Sequence, residues 1–143
     1  MTTESDSERI RSLASQFRKA IECDRSKLSI AFNEFPCGSC GEASMLLGTF
    51  LKERDAGAFR YVSGKRAGKS HAWLELDGLI VDITADQFSD CNEQVIVTSH
   101  SLFHESFQGT DQHEADYHIW NPEAVFESAQ DYRAIIANLN RAS

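Results

Sequence analysis

Two cysteines two residues apart, Cys37 and Cys40, stand at the head of an apolar helical pattern in the run PCGSCGEASMLLGTF, residues 36–50. That spacing suits three chemistries: a redox dithiol, half of a zinc site, or a nucleophilic thiol at a helix start. Each requires different company. A thioredoxin-type dithiol requires a strand, a helix and a strand ahead of the pair, and only one helical pattern precedes Cys37. A zinc site requires two more ligands. His71 with Cys91, or His100 with His104, would serve, as would a variant using Cys37, Cys40 and His71, but no second pair lies at a finger-like interval. A nucleophile requires a base and a group that orients it.

The run SHAWLELDGLIVDIT, residues 70–84, supplies both. Asp77-Gly78 between two apolar, β-branched stretches is the strongest short hairpin signal. With that two-residue turn, Leu76 faces Leu79, Trp73 faces Asp82 and His71 faces Thr84. Alternate residues share a face, so His71, Trp73 and Asp82 lie on one side, and Ala72, Leu74, Leu76, Val81 and Ile83 on the other. His71 and Asp82 become diagonal neighbours, roughly 7–8 Å apart at the backbone, within reach of an imidazole–carboxylate hydrogen bond. A slip of one residue would bury Asp82 among aliphatics. A lone histidine on a strand is ordinarily a surface or core residue; here the conjunction with Asp82 and a helix-start cysteine raises it to a candidate base.

These side chains need elements to hold them. Residues 6–23 put Ile10, Leu13, Ala14, Phe17 and Ile21 on one helical face. Ala43, Leu46, Leu47, Phe50 and Leu51 repeat that period, so Cys40 opens a second amphipathic helix. Ser39 with Glu42 reads as a capping box, and Gly57 as the stop. The unpaired N–H groups of that helix start favour a thiolate and a developing oxyanion, while the Glu42 charge opposes the thiolate. FRYVS, HAWLEL, LIVDIT and EQVIVTS read as strands. The stretch from His100 to Tyr117 is polar and ambiguous, and His100, His104, His113 and His118 read as surface or loop residues. Asn121-Pro122-Glu123 opens a last helix with Val125, Ala129, Tyr132, Ile136 and Leu139 inward. The order α-α-β-β-β-β-α predicts an α+β domain, an antiparallel sheet covered by helices on one side, spanning residues 1–143 as one unit.

The bulk properties narrow the partners. The 143 residues suffice for a core without disulfide staples. With 22 acidic against 14 basic side chains the net charge is −8, which disfavours phosphate backbones, so no nucleic acid is expected. The basic run GKRAGK, Lys65–Lys69, reads as a solvated hairpin tip rather than an anion contact. No apolar run is long enough to span a membrane, and no secretory signal is evident, so a cytoplasmic protein is expected; export by another route or excision from a longer chain would look the same. Four cysteines in such a chain do not suggest a disulfide framework.

GSCGEASMLLGTFL followed by HAWLELDGLIVDIT resembles the papain-like and transglutaminase-like cysteine enzymes. The match is closest to small transglutaminase-like domains through His71, Trp73, Gly78, Asp82 and Thr84. The resemblance covers residues 33–88 and implies a papain-like or transglutaminase-like core with Cys40 as nucleophile at a helix N-terminus. It implies His71 as base, Asp82 as orienting acid, and Cys37 as a loop residue. Papain-like enzymes place a glutamine shortly before the nucleophile as an oxyanion donor; this chain has Asn33 and Glu34 there. Asn33 can substitute, and Gln87 in ADQF is a second candidate; with Trp73 they form the expected oxyanion and substrate-binding set. The resulting expectation is a thiol-dependent amide hydrolase or acyl transferase (peptidase, protein-glutamine deamidase or transglutaminase-like) acting on a protein or peptide through a thioester. No cofactor or metal is expected, and a cognate regulator or inhibitor is compatible with the sequence. The rival expectation is a non-catalytic binding module of the same fold, or a zinc or redox CxxC protein.

Overall fold

The computed structural model describes residues 4–23 and 25–142. In chain order the regular elements are α1 (Glu4–Cys23), α2 (Cys40–Glu53), β1 (Arg60–Arg66), β2 (Lys69–Leu76), β3 (Leu79–Asp82), β4 (Ile96–Thr98), α3 (Leu102–Glu105), β5 (Thr110–Glu114) and α4 (Pro122–Ala142). The five strands form one antiparallel sheet in the order β4-β3-β2-β1-β5, an α+β architecture. No helix among the described residues is long and apolar enough to cross a membrane.

The β2–β3 hairpin has the expected register, Leu76 opposite Leu79 and Leu74 opposite Val81. Asp77 and Gly78 both adopt positive φ, 51° and 83°, as a tight primed turn requires. Leu74, Val81 and Ile83 therefore enter the main core with α1, α2 and α4, while Trp73 and Ile80 enter a smaller core with Val62, Phe88 and Phe107. The sheet is thus packed on both faces, not one. The second face is covered by the segment after β3 and by α3, which the sequence pattern left ambiguous.

α2 is the centre of the main core. Every residue from Ala43 to Leu51 is buried, so the helix is not amphipathic as its spacing suggested but enclosed all round. Its C-terminus closes earlier than Gly57. Asp55, at φ 55°, takes the left-handed position, with Asp55 N–H bonded to Lys52 O and Ala56 N–H to Leu51 O. Gly48 permits the tight packing, because a Cβ there would lie 2.3 Å from the Ala115 carbonyl oxygen, just beyond β5. In an exposed helix Gly→Ala gains about 1 kcal/mol. In α2, Gly48→Ala is expected to destabilise by about 1–3 kcal/mol, measured by denaturant unfolding, because backbone on the far side must yield.

α4 begins as expected, with the Asn121 side chain accepting from Ala124 N–H at 3.0 Å. Its buried face includes the predicted Tyr132 and Leu139, with Val125 and Ala129 at its margin, but is wider than predicted. Ser128, Asp131, Ile135 and Asn138 are buried, whereas Ile136 lies at the flank. The polar members are each matched: Ser128 to Glu42, Asp131 to the Ser29 backbone N–H, and Asn138 to the Ala20 carbonyl. Arg18 of α1, also buried, donates to Ile83 O, Gln94 O and both oxygens of Asp86. It thereby fixes the segment that follows β3, which carries Gln87.

Candidate active site

Cys40 is the first residue of α2 and is half-buried. The expected capping box does not form. Ser39 occupies the N-cap position but its hydroxyl turns to the Cys37 carbonyl, 3.4 Å away, and makes no cap bond. Glu42 instead accepts from Ser128 Oγ on α4 at 2.9 Å. The N-cap side chain thus leaves this helix start uncapped, and its leading N–H groups favour negative charge beside the thiol. Burial pushes the Glu42 carboxyl up, with the charges of Asp131 and Glu127 adding and the Ser128 bond opposing. Its opposition to a thiolate is correspondingly weakened.

α2 is pinned to β2 at this point by Ser44 Oγ, which donates to Ala72 O at 3.5 Å. The Cys40 thiol consequently meets the His71 side chain and the Ala72 backbone. Burial works to raise the thiol pKa, and the Asp82 charge adds to that. The hydrogen bond and charge of His71, with the Ala72 backbone, outweigh both and bring it below its ordinary value.

Asp82, the last residue of β3, lies 2.6 Å from His71 Nε2 through Oδ2. Its Oδ1 accepts the Thr84 backbone N–H at 2.8 Å. Burial alone would raise this carboxyl, but donors from His104 and His71 hold it well below the carboxylate range. An ionised carboxylate can only accept, so His71 must carry its proton on Nε2 and present a bare Nδ1 when neutral. That is the tautomer a thiol-activating base needs. Burial pulls the His71 pKa down, yet its bonds to Asp82 and Cys40 and their charges raise it from 6.5 to about 9. Gln87 Nε2 stands 3.4 Å from His71 Nδ1 and donates to Thr84 O at 3.2 Å.

An aromatic wall encloses the imidazole. The ring centroids of Phe88, Phe107, Trp73 and Phe103 lie 5.0, 5.4, 5.6 and 6.1 Å from that of His71. Arg66 roofs three of these rings, 4.5 Å over Phe107, 5.1 Å over Phe103 and 5.5 Å over Phe88, and its guanidinium is clamped by both Asp90 oxygens. By excluding water, the wall strengthens the His71–Asp82 bond. GKRAGK is a solvated hairpin tip as expected, with Lys65, Ala67, Gly68 and Lys69 exposed around an Ala67-Gly68 turn at positive φ, except that Arg66 folds back onto the wall.

Family models, curated proteins and solved structures yield no match to this chain.

The structure thus brings Cys40, His71, Asp82, Trp73 and Gln87 together. It does not bring Asn33. That residue is exposed at the end of a short 3-10 turn, and among the described residues its side chain makes no hydrogen bond to Cys40 or His71. Cys37 is exposed, and neither it nor Cys91 joins the one cluster with metal-ligand potential among the described residues. That cluster is His71, Asp82 and His104, whose ligand atoms lie within 4.8 Å of one another. Both histidines turn Nε2 onto the same carboxylate oxygen, which makes the arrangement a hydrogen-bond relay.

Two residues of the site escaped the sequence. His104 is not a surface histidine: it is 2% exposed and bonds Asp82 Oδ2 at 2.6 Å. The available signal was local, Ser101 standing three residues ahead as a cap with Phe103 and Phe107 four apart around His104. Tyr61 is the other. Its hydroxyl lies 3.0 Å from where a Gly41 Cβ would stand, and burial, with the Cys40 charge adding, pushes its pKa up.

Proposed function

We propose that the protein is a thiol-dependent amide hydrolase or acyl transferase acting on a protein or peptide, with a papain-like or transglutaminase-like core. One observation carries the reading: the Cys40 thiol, at an uncapped helix start, meets an imidazole whose opposite nitrogen is fixed by a buried carboxylate. The nucleophile on a central buried helix, with histidine and aspartate from the next two-stranded hairpin, supports the same fold reading.

The chemistry follows from the positions. His71 Nδ1 accepts the Cys40 proton, and the thiolate attacks a carboxamide or peptide carbonyl carbon. The carbonyl π electrons move to oxygen, where the free N–H groups at the start of α2 oppose the new charge. Collapse breaks the C–N bond, the leaving amine takes the proton from His71, and a thioester remains on Cys40. Water, deprotonated by His71, then releases the acid; an amine in its place gives transamidation. Gln87 and Trp73 flank the imidazole, Gln87 as a donor 3.4 Å from Nδ1 and Trp73 as a buried apolar neighbour.

The deciding experiment is the pH dependence of Cys40 alkylation by iodoacetamide, read by peptide mass spectrometry. Cys40 is expected to react well below the ordinary thiol pKa of about 8.5, and His71→Ala to slow it about tenfold or more near neutral pH. Sluggish labelling indifferent to His71 would sink the proposal.

A further inference from the structure

Beyond the Cys40–His71–Asp82 set, a fourth and a fifth side chain continue the line of hydrogen bonds. His104, in the four-residue helix α3, places Nε2 at 2.6 Å from Asp82 Oδ2, the same oxygen that His71 uses. On the other side of its ring, Nδ1 lies 2.6 Å from Ser101 Oγ. Ser101 is also the N-cap of α3, its hydroxyl oxygen accepting the His104 backbone N–H. With its oxygen engaged as an acceptor, that hydroxyl has its proton free to donate to His104 Nδ1. His104 is then locked with its own proton on Nε2, pointing at Asp82.

We infer that His104, held in one tautomer by Ser101, is a positioning residue for the His71–Asp82 pair: it shares the carboxylate oxygen and thereby sets how strongly Asp82 grips the imidazole. This inference rests on the thiol-enzyme reading of the site. Asp82 Oδ2 faces two N–H donors, each of which draws electron density from the same oxygen. A second donor keeps Asp82 ionised and oriented while weakening its grip on the His71 proton. A carboxylate bonded to His71 alone would hold the imidazolium more tightly and make it a poorer acid toward the leaving amine.

The ring is kept in place by packing as well as by bonds. His104 meets Trp73 edge-on at 4.8 Å between centroids and Phe103 at 5.1 Å. The charged and titratable groups around the relay are few. Cys40 and His71 approach from α2 and β2, and Arg66 from β1 across Phe103 and Phe107. The Cys91 thiol feels the Asp82 charge from the segment before β4. Beside Ser101, Arg11, Glu93 and His100 line the same cavity.

The test is nuclear magnetic resonance of ¹⁵N-histidine-labelled full chain, reading ring tautomers and the His71 titration midpoint in wild type, Cys40→Ala, His104→Leu and His104→Gln. Wild type is expected to show His104 protonated on Nε2, with a low-field proton. His104→Leu is expected to move the His71 midpoint upward by about one pH unit, and His104→Gln, whose amide still donates, to reverse most of that shift. If the midpoint responds to Cys40→Ala but not to His104→Leu, the inference falls and the thiol–imidazole reading stands. If it ignores Cys40→Ala, that reading falls. Should the Leu variant not fold, a wild-type spectrum with the His104 proton on Nδ1 overturns the inference by itself.

Discussion

Asp82→Asn is expected to lower turnover of an amide substrate by on the order of 10³–10⁴-fold, because the substitution reverses a tautomer instead of removing a contact. Asp82 accepts from each of its hydrogen-bond partners: two Nε2 donors on Oδ2, and the Thr84 backbone N–H and hydroxyl on Oδ1. An asparagine has one oxygen and one NH₂. The Thr84 N–H is fixed by the chain, so the amide oxygen must take its place there and the NH₂ must face the histidines. Two N–H donors then meet two Nε2 atoms, and both imidazoles can satisfy them only by moving their protons to Nδ1, where for His104 the Ser101 hydroxyl must turn its own proton away and accept instead. For His71 that puts a proton where the Cys40 proton has to go. The base is blocked although every hydrogen bond is made. Ultraviolet absorbance of the thiolate near neutral pH should fall together with turnover. An Asp82→Asn protein that retains its thiolate and its rate would show that the carboxylate does not orient the base.

The features that specify this pair were legible because they are local and periodic. A two-residue turn at Asp77-Gly78 fixes the register of β2 against β3, and a period of two then assigns His71, Trp73 and Asp82 to a common face without any tertiary information. Cys40 was legible for the same reason, standing at the point where helical spacing begins. What stayed hidden depends on long-range partners. The Ser39–Glu42 pair fits a capping box by spacing, but Ser128, 86 residues away, offers Glu42 a buried partner and wins. Polar Ser128, Asp131 and Asn138 disguise how wide the inner face of α4 is, since each is matched by a group from another element. β5, Thr110–Glu114, is a polar edge strand with a register shift against β1 at Tyr61/Val62, so it carries neither alternation nor apolar content. His104 sits in a helix of four residues, too short to announce itself by period, and owes its burial to Trp73 from β2 and to the Asp82 carboxylate as well as to its neighbour Phe103.

The same buried pair should write itself into the pH dependence of stability, with opposite signs on the two sides. His71 is raised in the folded protein, from 6.5 to about 9. The folded state therefore holds that proton more tightly than the unfolded chain. The resulting stabilisation is complete below about pH 6.5 and is lost as pH rises toward 9, a span worth about 3 kcal/mol at 1.36 kcal/mol per pH unit. Cys40, lowered from 9.0, acts in the other direction: its contribution is present above that value and is lost as pH falls through the folded one. It offsets part of the alkaline loss. Asp82 is depressed from 3.8, so its contribution is full above that value and disappears on acidification below it. Urea unfolding across this range is expected to give a broad maximum between the acid arm of Asp82 and the alkaline arm of His71. Asp82→Asn tests the assignment directly. The variant has no carboxylate to protonate and no charge to hold the imidazolium, so its acid arm should shrink and its alkaline slope flatten together. A wild-type profile that is level between pH 6.5 and about 9, or an unchanged profile in the variant, would mean that the His71–Asp82 bond does not carry the charge that the thiol chemistry requires.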